Sequence, residues 1–132
     1  MKKIRIMVVD DHFVVRMGLA GSINLESDMT VVAEASTGEQ AIEQLRQHHP
    51  DIVLMDLRLP GMSGIEATRL ISKESANAAV IILSTHDSEE DIYQAIQAGA
   101  RSYLIKTAAR EELIKTIRAV HSGERAIPAG RQ

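Results

Sequence analysis

The chain contains no cysteine and no tryptophan, and aromatic residues make up only 2 % of it: two tyrosines and one phenylalanine. The missing thiols exclude disulfides, thiolate metal sites and a cysteine nucleophile, and they fit a reducing compartment. With so few rings, a core must be built from Ile, Val, Leu, Met and Ala, within a hydrophobic fraction of 45 %. No block of basic residues is present, and the formal net charge is −3, so this segment lacks the electrostatic footprint of a nucleic-acid binder. No apolar run is long enough to span a bilayer, and Met1-Lys2-Lys3 leads into strand-like sequence rather than a signal segment. Neither a P-loop nor a G-x-G-x-x-G occurs, which argues against a nucleotide site. What remains is a cytoplasmic α/β domain whose 132 residues suit one core.

The stretch that organises the rest is Asp51-Ile-Val-Leu-Met-Asp56-Leu-Arg-Leu-Pro60-Gly61. Four apolar residues, Ile52 to Met55, run straight into a carboxylate, and a proline and a glycine then turn the chain. A short apolar run bounded by turn residues reads as a strand buried on both faces of a parallel sheet. A carboxylate at the end of such a strand must be solvated, paired or bound to a cation.

The same pattern recurs along the chain. Ile4 to Val9 reads as a first strand ending in Asp10-Asp11. From His12 the period changes, and Val14, Val15, Met17, Gly18, Leu19 and Ile23 suggest the apolar face of a helix. Thr30 to Ala35 is a second strand, and Thr37-Gly-Glu-Gln40 offers a capping box for a helix that turns Ala41, Ile42 and Leu45 inward and stops before Pro50. After the Asp56 strand, a loop through Gly64 leads to a helix with Ile65, Ala67, Thr68 and Ile71 inward. Val80 to Leu83 is a fourth strand, ending at Ser84-Thr85. Ser88 caps a helix with Ile92, Ala95 and Ile96 inward, and Gly99 suits a left-handed stop. Ser102 to Ile105 is a fifth strand ending at Lys106, and a last helix carries Leu113, Ile114, Ile117 and Val120 inward to about Gly123. Five strands alternating with five helices predict a doubly wound parallel sheet with right-handed crossovers.

Polar residues gather where these strands end. In an open α/β sheet the ligand crevice lies outside the carboxyl ends of the strands, and there the sequence places Asp10-Asp11, Asp56, Ser84-Thr85 and Lys106. Three carboxylates that close cannot all stay ionised unaided, and a hard divalent cation with oxygen ligands, Mg²⁺, resolves the conflict. Cation, carboxylate nucleophile, ammonium and hydroxyl are the parts phosphoryl transfer needs. Each signal also has a plainer alternative. Asp10-Asp11 or Asp56 can be turn residues, Ser84-Thr85 a hydroxyl pair bonded to backbone, Lys106 a solvated lysine and Tyr103 plain packing. The five histidines are scattered and read as solvated groups rather than metal ligands, and Glu89-Glu90-Asp91 as a helix-start charge cluster.

Four motifs taken together, Val9-Asp10-Asp11-His12, Met55-Asp56-Leu57 with Pro60-Gly61-Met62-Ser63-Gly64, Leu83-Ser84-Thr85 and Tyr103-Leu104-Ile105-Lys106, resemble the receiver domain of bacterial two-component response regulators, from about Lys3 to Ser122. The resemblance implies a flavodoxin-like fold with strand order 2-1-3-4-5. It implies that Asp56 accepts a phosphoryl group from a sensor histidine kinase, that Asp11, Asp56 and the backbone carbonyl of Arg58 ligate Mg²⁺ with Asp10 acting through water, and that Ser84 and Lys106 stabilise the phosphoryl group. Tyr103 matches the aromatic position that switches with Ser84. Where many receivers carry proline after the lysine, Thr107 stands here. His12 to Leu19 and Ser84 to Asp87 look most like regulators with a C-terminal LuxR-type helix-turn-helix domain. On that likeness residues 1–123 form the receiver and residues 124–132 begin a linker toward an output domain outside this chain, through which alone DNA is bound. The receiver is then a bacterial cytoplasmic switch rather than an enzyme, with homodimerisation on activation and no membrane partner. Two other classes use similar parts. A haloacid-dehalogenase-type hydrolase needs Asp-x-Asp-x-Thr/Val after the first strand, which Asp10 to Val14 does not supply, and a receiver-like module that never sees phosphate usually lacks an acid or the lysine, all of which are present here.

Overall fold

The computed structural model describes residues 2–86 and 88–123. Its elements are β1 (Ile4–Val9), α1 (Phe13–Asn24), β2 (Met29–Ala35), α2 (Gly38–His48), β3 (Ile52–Asp56), α3 (Gly64–Glu74), β4 (Ala79–Ser84), α4 (Glu89–Ala98), β5 (Ser102–Ile105) and α5 (Arg110–His121). The five strands are all parallel in the order β2-β1-β3-β4-β5, the flavodoxin-like order expected from the sequence. The linker expected over residues 124–132 lies outside the described residues. Among the described residues no helix is long and apolar enough to cross a membrane.

Alternation along the strands divides the core in two, because successive side chains leave opposite faces of a sheet. Met7, Val9, Val53, Met55, Val80, Ile82 and Tyr103 pack on one face with Ala41 and Leu45 of α2, Ala67 and Ile71 of α3, and Ile92 and Ala95 of α4. Ile4, Ile6, Val8, Ile52, Leu54, Ile81, Leu83 and Leu104 pack on the other with Ile23 of α1 and Leu113, Ile114, Ile117 and Val120 of α5. β3 and β4 are buried along their whole length, as continuous apolar runs in the middle of a parallel sheet must be.

The helix boundaries follow local chemistry. The Thr37 hydroxyl accepts the Gln40 N–H at 3.1 Å, but the Gln40 side chain reaches back to the N–H of Ser36 at 2.9 Å rather than to that of Thr37, so the capping box closes one residue early. Ser88 caps α4 through the Asp91 N–H at 3.1 Å, and Gly99 ends it with φ 113°. Ser63 caps α3 in the same way, through the Glu66 N–H at 3.1 Å. At the far side of the sheet, Arg118 bonds both Asp28 and Glu26, and Arg110 bonds Glu26 and the Ser22 carbonyl. These hydrogen bonds hold the Glu26 and Asp28 carboxyls below the usual carboxylate range and tie α5 to the end of α1.

The α1 face differs from its sequence reading. Val14 and Met17 are 71 % and 54 % exposed, and Ile23 is the one fully buried residue of the helix. The six apolar positions span too wide an arc for one side of a helix to bury. α1 lies over β1 and β2 at the edge of the sheet, and only the side carrying Val15, Leu19 and Ile23 turns toward the strands.

Thr68 is fully buried in α3, and its hydroxyl has no hydrogen-bond partner among the described residues. Valine has nearly the same shape without the hydroxyl that burial penalises. Thr68→Val is therefore expected to leave stability unchanged or raise it by about 1 kcal/mol, read as the urea midpoint at constant m. A loss of similar size would show that the hydroxyl has a partner.

Candidate functional site

Strand register assembles the site. Val9 pairs with Met55 and Asp56 with Leu83, while Ser84 pairs with Ile105. Asp10, the residue after β1, therefore arrives at the level of Asp56, while Lys106, after β5, stands two residues further out and its ammonium lies against both acids. The chain runs outward in opposite directions from β1 and β3, and the crevice of a doubly wound sheet opens at such a reversal. Continuing the two-residue alternation puts Asp10, Asp56 and Lys106 on the α1/α5 face, and Ser84 with Tyr103 on the α4 face.

The charged group is close-knit. The Lys106 ammonium lies 2.7 Å from Asp10 Oδ2 and 3.3 Å from Asp56 Oδ1. Asp10 and Asp56 are 1 % and 5 % exposed. The N–H of His12 donates to Asp10 Oδ1 at 2.8 Å, and that of Arg58 to Asp56 Oδ1 at 3.3 Å. Asp11 is exposed at the rim, and the Arg58 guanidinium turns away toward Asp91, 3.4 Å distant. Burial pushes the Asp56 carboxyl above its ordinary value, and the nearby Asp10 charge adds to this against the pull of Lys106. Burial acts on Asp10 in the same sense, but the hydrogen bonds from Lys106 and from the His12 amide outweigh it and hold Asp10 below the usual range. Burial would lower Lys106, yet its bond to Asp10 and the charge of Asp56 keep it above its ordinary value.

Charge counting then says what the site can hold. Three carboxylates and one ammonium leave two negative charges uncompensated. One carboxylate oxygen from each of Asp10, Asp11 and Asp56, with a ring nitrogen of His12, lie within 4.8 Å of one another. Hard oxygen donors converging with that charge deficit fit a divalent metal ion.

Two helpers carry no signal of their own in the sequence. Arg16 donates from Nη1 to the Asp10 carbonyl at 2.6 Å while its Nε lies 3.4 Å from Glu34, so it braces the turn that presents Asp10; a lone arginine on an apolar helix was the only trace of this. His12, read with the other histidines as a solvated group, is exposed, and its Nδ1 also lies 3.1 Å from Asp10 and 3.2 Å from Asp11.

The α4 side is a second, neutral arrangement. Ser84 is buried and Thr85 exposed, so the hydroxyl pair divides. Ser84 Oγ accepts the His86 N–H at 3.1 Å, and the fully buried Tyr103 donates its hydroxyl to the His86 carbonyl at 2.7 Å. One peptide residue thus joins the Ser84 and Tyr103 side chains. Behind Asp56, Gly64 packs so tightly that a Cβ would sit 2.1 Å from the Asp56 carbonyl oxygen. Gly64→Ala must displace the backbone that carries the carboxylate, with an expected loss of about 3 kcal/mol in chemical denaturation; a loss under about 1 kcal/mol would mean that the loop yields.

The raised Asp56 carboxyl gives a second expectation. A carboxyl whose folded pKa lies above its unfolded value of about 3.8 costs stability that is absent below that pH, grows as pH rises through the folded value and is then constant. Without metal, Asp56→Asn should be more stable than the parent at neutral pH, and the gain should vanish on acidification below about pH 4. Equal melting temperatures across this range would show that ionised Asp56 bears no such cost.

Comparison with known proteins agrees with this geometry. A family model described as "Response regulator receiver domain" matches residues 6–118. The chain is 41 % identical over 121 residues to the transcriptional regulatory protein LiaR of Bacillus subtilis (strain 168), covering 92 % of this chain and 57 % of that protein. The chain thus spans a little over half the length of the curated relatives it matches. A crystal structure of a LuxR-family two-component response regulator from Aurantimonas sp. SI85-9A1 superposes with a TM-score of 0.91 at 39 % identity, over 98 % of this chain and 91 % of that one. The signal receiver domain of the putative response regulator NarL from Mycobacterium tuberculosis superposes with a TM-score of 0.90 at 34 % identity, over 94 % and 100 %. Fold, strand-end acids and relatives converge, and the chain belongs to the response regulator receiver domain family, a regulatory rather than a catalytic class, with relatives of the LuxR/NarL kind.

Proposed function

We propose that this domain is a phosphorylation-driven switch in which Asp56 is the phosphoacceptor. The observation that carries the reading is the Lys106 ammonium set between the buried carboxylates of Asp10 and Asp56, at 2.7 and 3.3 Å, in a cluster that still lacks two positive charges. Asp11, Asp56 and the Arg58 backbone carbonyl would hold Mg²⁺, with Asp10 assisting from the outer shell. When bound, the ion neutralises the acids and the incoming phosphoryl oxygens.

A carboxylate oxygen of Asp56 attacks the phosphorus of a phosphohistidine on a sensor histidine kinase. The P–N bond breaks, the imidazole leaves and an acyl phosphate forms. Asp56 suits the role because burial strips its solvent while the Arg58 amide and Lys106 fix its direction. Lys106 then exchanges its contact with Asp56 for a phosphoryl oxygen. Ser84 Oγ now only accepts, from His86, so its proton is free to donate to the phosphoryl group. Turning toward it breaks the His86 bond, and His86 is also what the Tyr103 hydroxyl holds. A change at Ser84 therefore reaches Tyr103 through one residue, and repacks the face formed by α4, β5 and α5. That face controls homodimerisation and, through a linker begun by residues 124–132, a DNA-binding output domain beyond this chain.

Incubation with Mg²⁺ and a small phospho-donor should give acid-stable, hydroxylamine-labile phosphate on the parent protein and none on Asp56→Asn. Equal labelling of both, or no labelling of either, would remove this reading. Lys106→Ala should keep Mg²⁺ binding but label more slowly by about 100-fold, the scale of losing one preorganised charge contact.

A further inference from the structure

We propose that His12 is an additional ligand of the cation site, one that gives it selectivity for a nitrogen-preferring divalent ion of the zinc class over Mg²⁺; this rests on the reading of Asp10, Asp11 and Asp56 as a cation site. The ring is delivered to the acids by a pinned backbone. The His12 N–H donates to Asp10 Oδ1 at 2.8 Å, and its carbonyl accepts the Arg16 N–H at 3.0 Å. Only the side-chain torsions remain free, and they place Nδ1 3.1 Å from Asp10 Oδ1 and 3.2 Å from Asp11 Oδ1.

The ring's polar contacts are to these acids, Nδ1 lying within hydrogen-bond distance of Asp10 Oδ1. His12 is the N-cap residue of α1, yet its side chain makes no capping bond. It is 67 % exposed, so it contributes little packing. A ring with neither a capping nor a packing role, held against two carboxylates through one nitrogen, is placed to exchange those contacts for a cation shared with the acids. The four donor atoms lie within 4.8 Å of one another. Two opposite ligands of one small divalent ion stand about 4.2 Å apart, twice a bond of about 2.1 Å, so a slight rotamer adjustment closes the set.

Ligand type then decides which ion gains. Imidazole nitrogen suits zinc, copper and nickel, whereas carboxylate and water suit magnesium, and affinity for such mixed sites rises along the later divalent metals. Mg²⁺ takes oxygen ligands and keeps its waters, so it is held by the acids and is indifferent to His12. A zinc-class ion uses the same Asp56 oxygen plus the ring nitrogen, and so competes with Mg²⁺ for the same acids.

The test titrates the parent protein and His12→Gln with Zn²⁺ and with Mg²⁺ by calorimetry, and follows the ¹⁵N resonances of the histidine rings. The exchange is expected to weaken Zn²⁺ by about ten-fold or more, and Mg²⁺ by less than about two-fold. In the parent, Zn²⁺ but not Mg²⁺ shifts the Nδ1 resonance of His12, a readout that needs no variant. Equal Zn²⁺ affinity of the two proteins, or a zinc-induced shift confined to the other histidines, overturns the proposal whatever Mg²⁺ does. Failure of Mg²⁺-dependent labelling at Asp56, with the His12 shift and the ten-fold loss intact, would instead sink the phosphoacceptor reading and leave His12 standing as a ligand.

Discussion

Two carboxylates buried within reach of one ammonium set the terms for everything else in this molecule. Asp10 and Asp56 reach that position because β1 and β3 are neighbours in register, and both strands are too apolar to leave the sheet. Burial would favour protonating both acids. Lys106 resolves half of the conflict by bonding Asp10 more closely than Asp56, and the two carboxyls respond in opposite directions, Asp10 down and Asp56 up. The asymmetry matters chemically. Asp10 is the carboxyl whose charged form its bonds favour, and Asp56 is the one whose charged form burial disfavours relative to an ordinary carboxyl. It is therefore the one with most to gain when a cation or a covalent partner arrives. Well-packed apolar residues in place of all three charged groups are often as stable or more so, whereas removing the acids alone would leave the Lys106 ammonium without partners.

On the proposed reading, the two faces of the sheet separate reaction from response. Asp10, Asp56 and Lys106 project toward the α1/α5 side, and Ser84 and Tyr103 toward the α4 side. A single residue, His86, receives both: its N–H is bound by Ser84 and its carbonyl by Tyr103. The same peptide cannot follow one without releasing or straining the other. That gives the proposed coupling a physical carrier, namely two hydrogen bonds on one residue in the loop after β4.

Much of this was legible in the residues alone, for reasons that differ from element to element. β3 and β4 were readable because a strand buried on both faces must be a continuous apolar run, and Ile52 to Met55 and Val80 to Leu83 are nothing else. α2 and α4 were readable from Thr37, Ser88 and Gly99, whose side chains or backbones act locally. α1 was misread because its surroundings, not its composition, decide which apolar residues are covered, and an edge helix meets the sheet on one side only. The strand-end acids were visible as polar residues closing apolar runs. Arg16 was invisible as a participant because its contact lies across the β1–α1 turn and a lone arginine signals no such contact, while His12 was legible only as part of the Asp10-Asp11-His12 motif and not by what its ring touches.

The site is also divided by depth. Its floor, Asp10 and Asp56, sits at strand ends locked by the sheet ladder and by Gly64, which lets α3 press directly on the Asp56 backbone. Its rim, Asp11, His12 and Arg58, is exposed and lies on loops. A floor so confined accepts little change in geometry, since side chains on rigid elements keep their aim while loop residues can adapt. A rim residue can be exchanged without disturbing the strands, so on the proposed reading the identity of the ion and the approach of a partner are set there, whereas the reacting carboxylate is set by the fold. Selectivity and reactivity thus reside in different parts of the chain, which allows one to vary while the other is held constant.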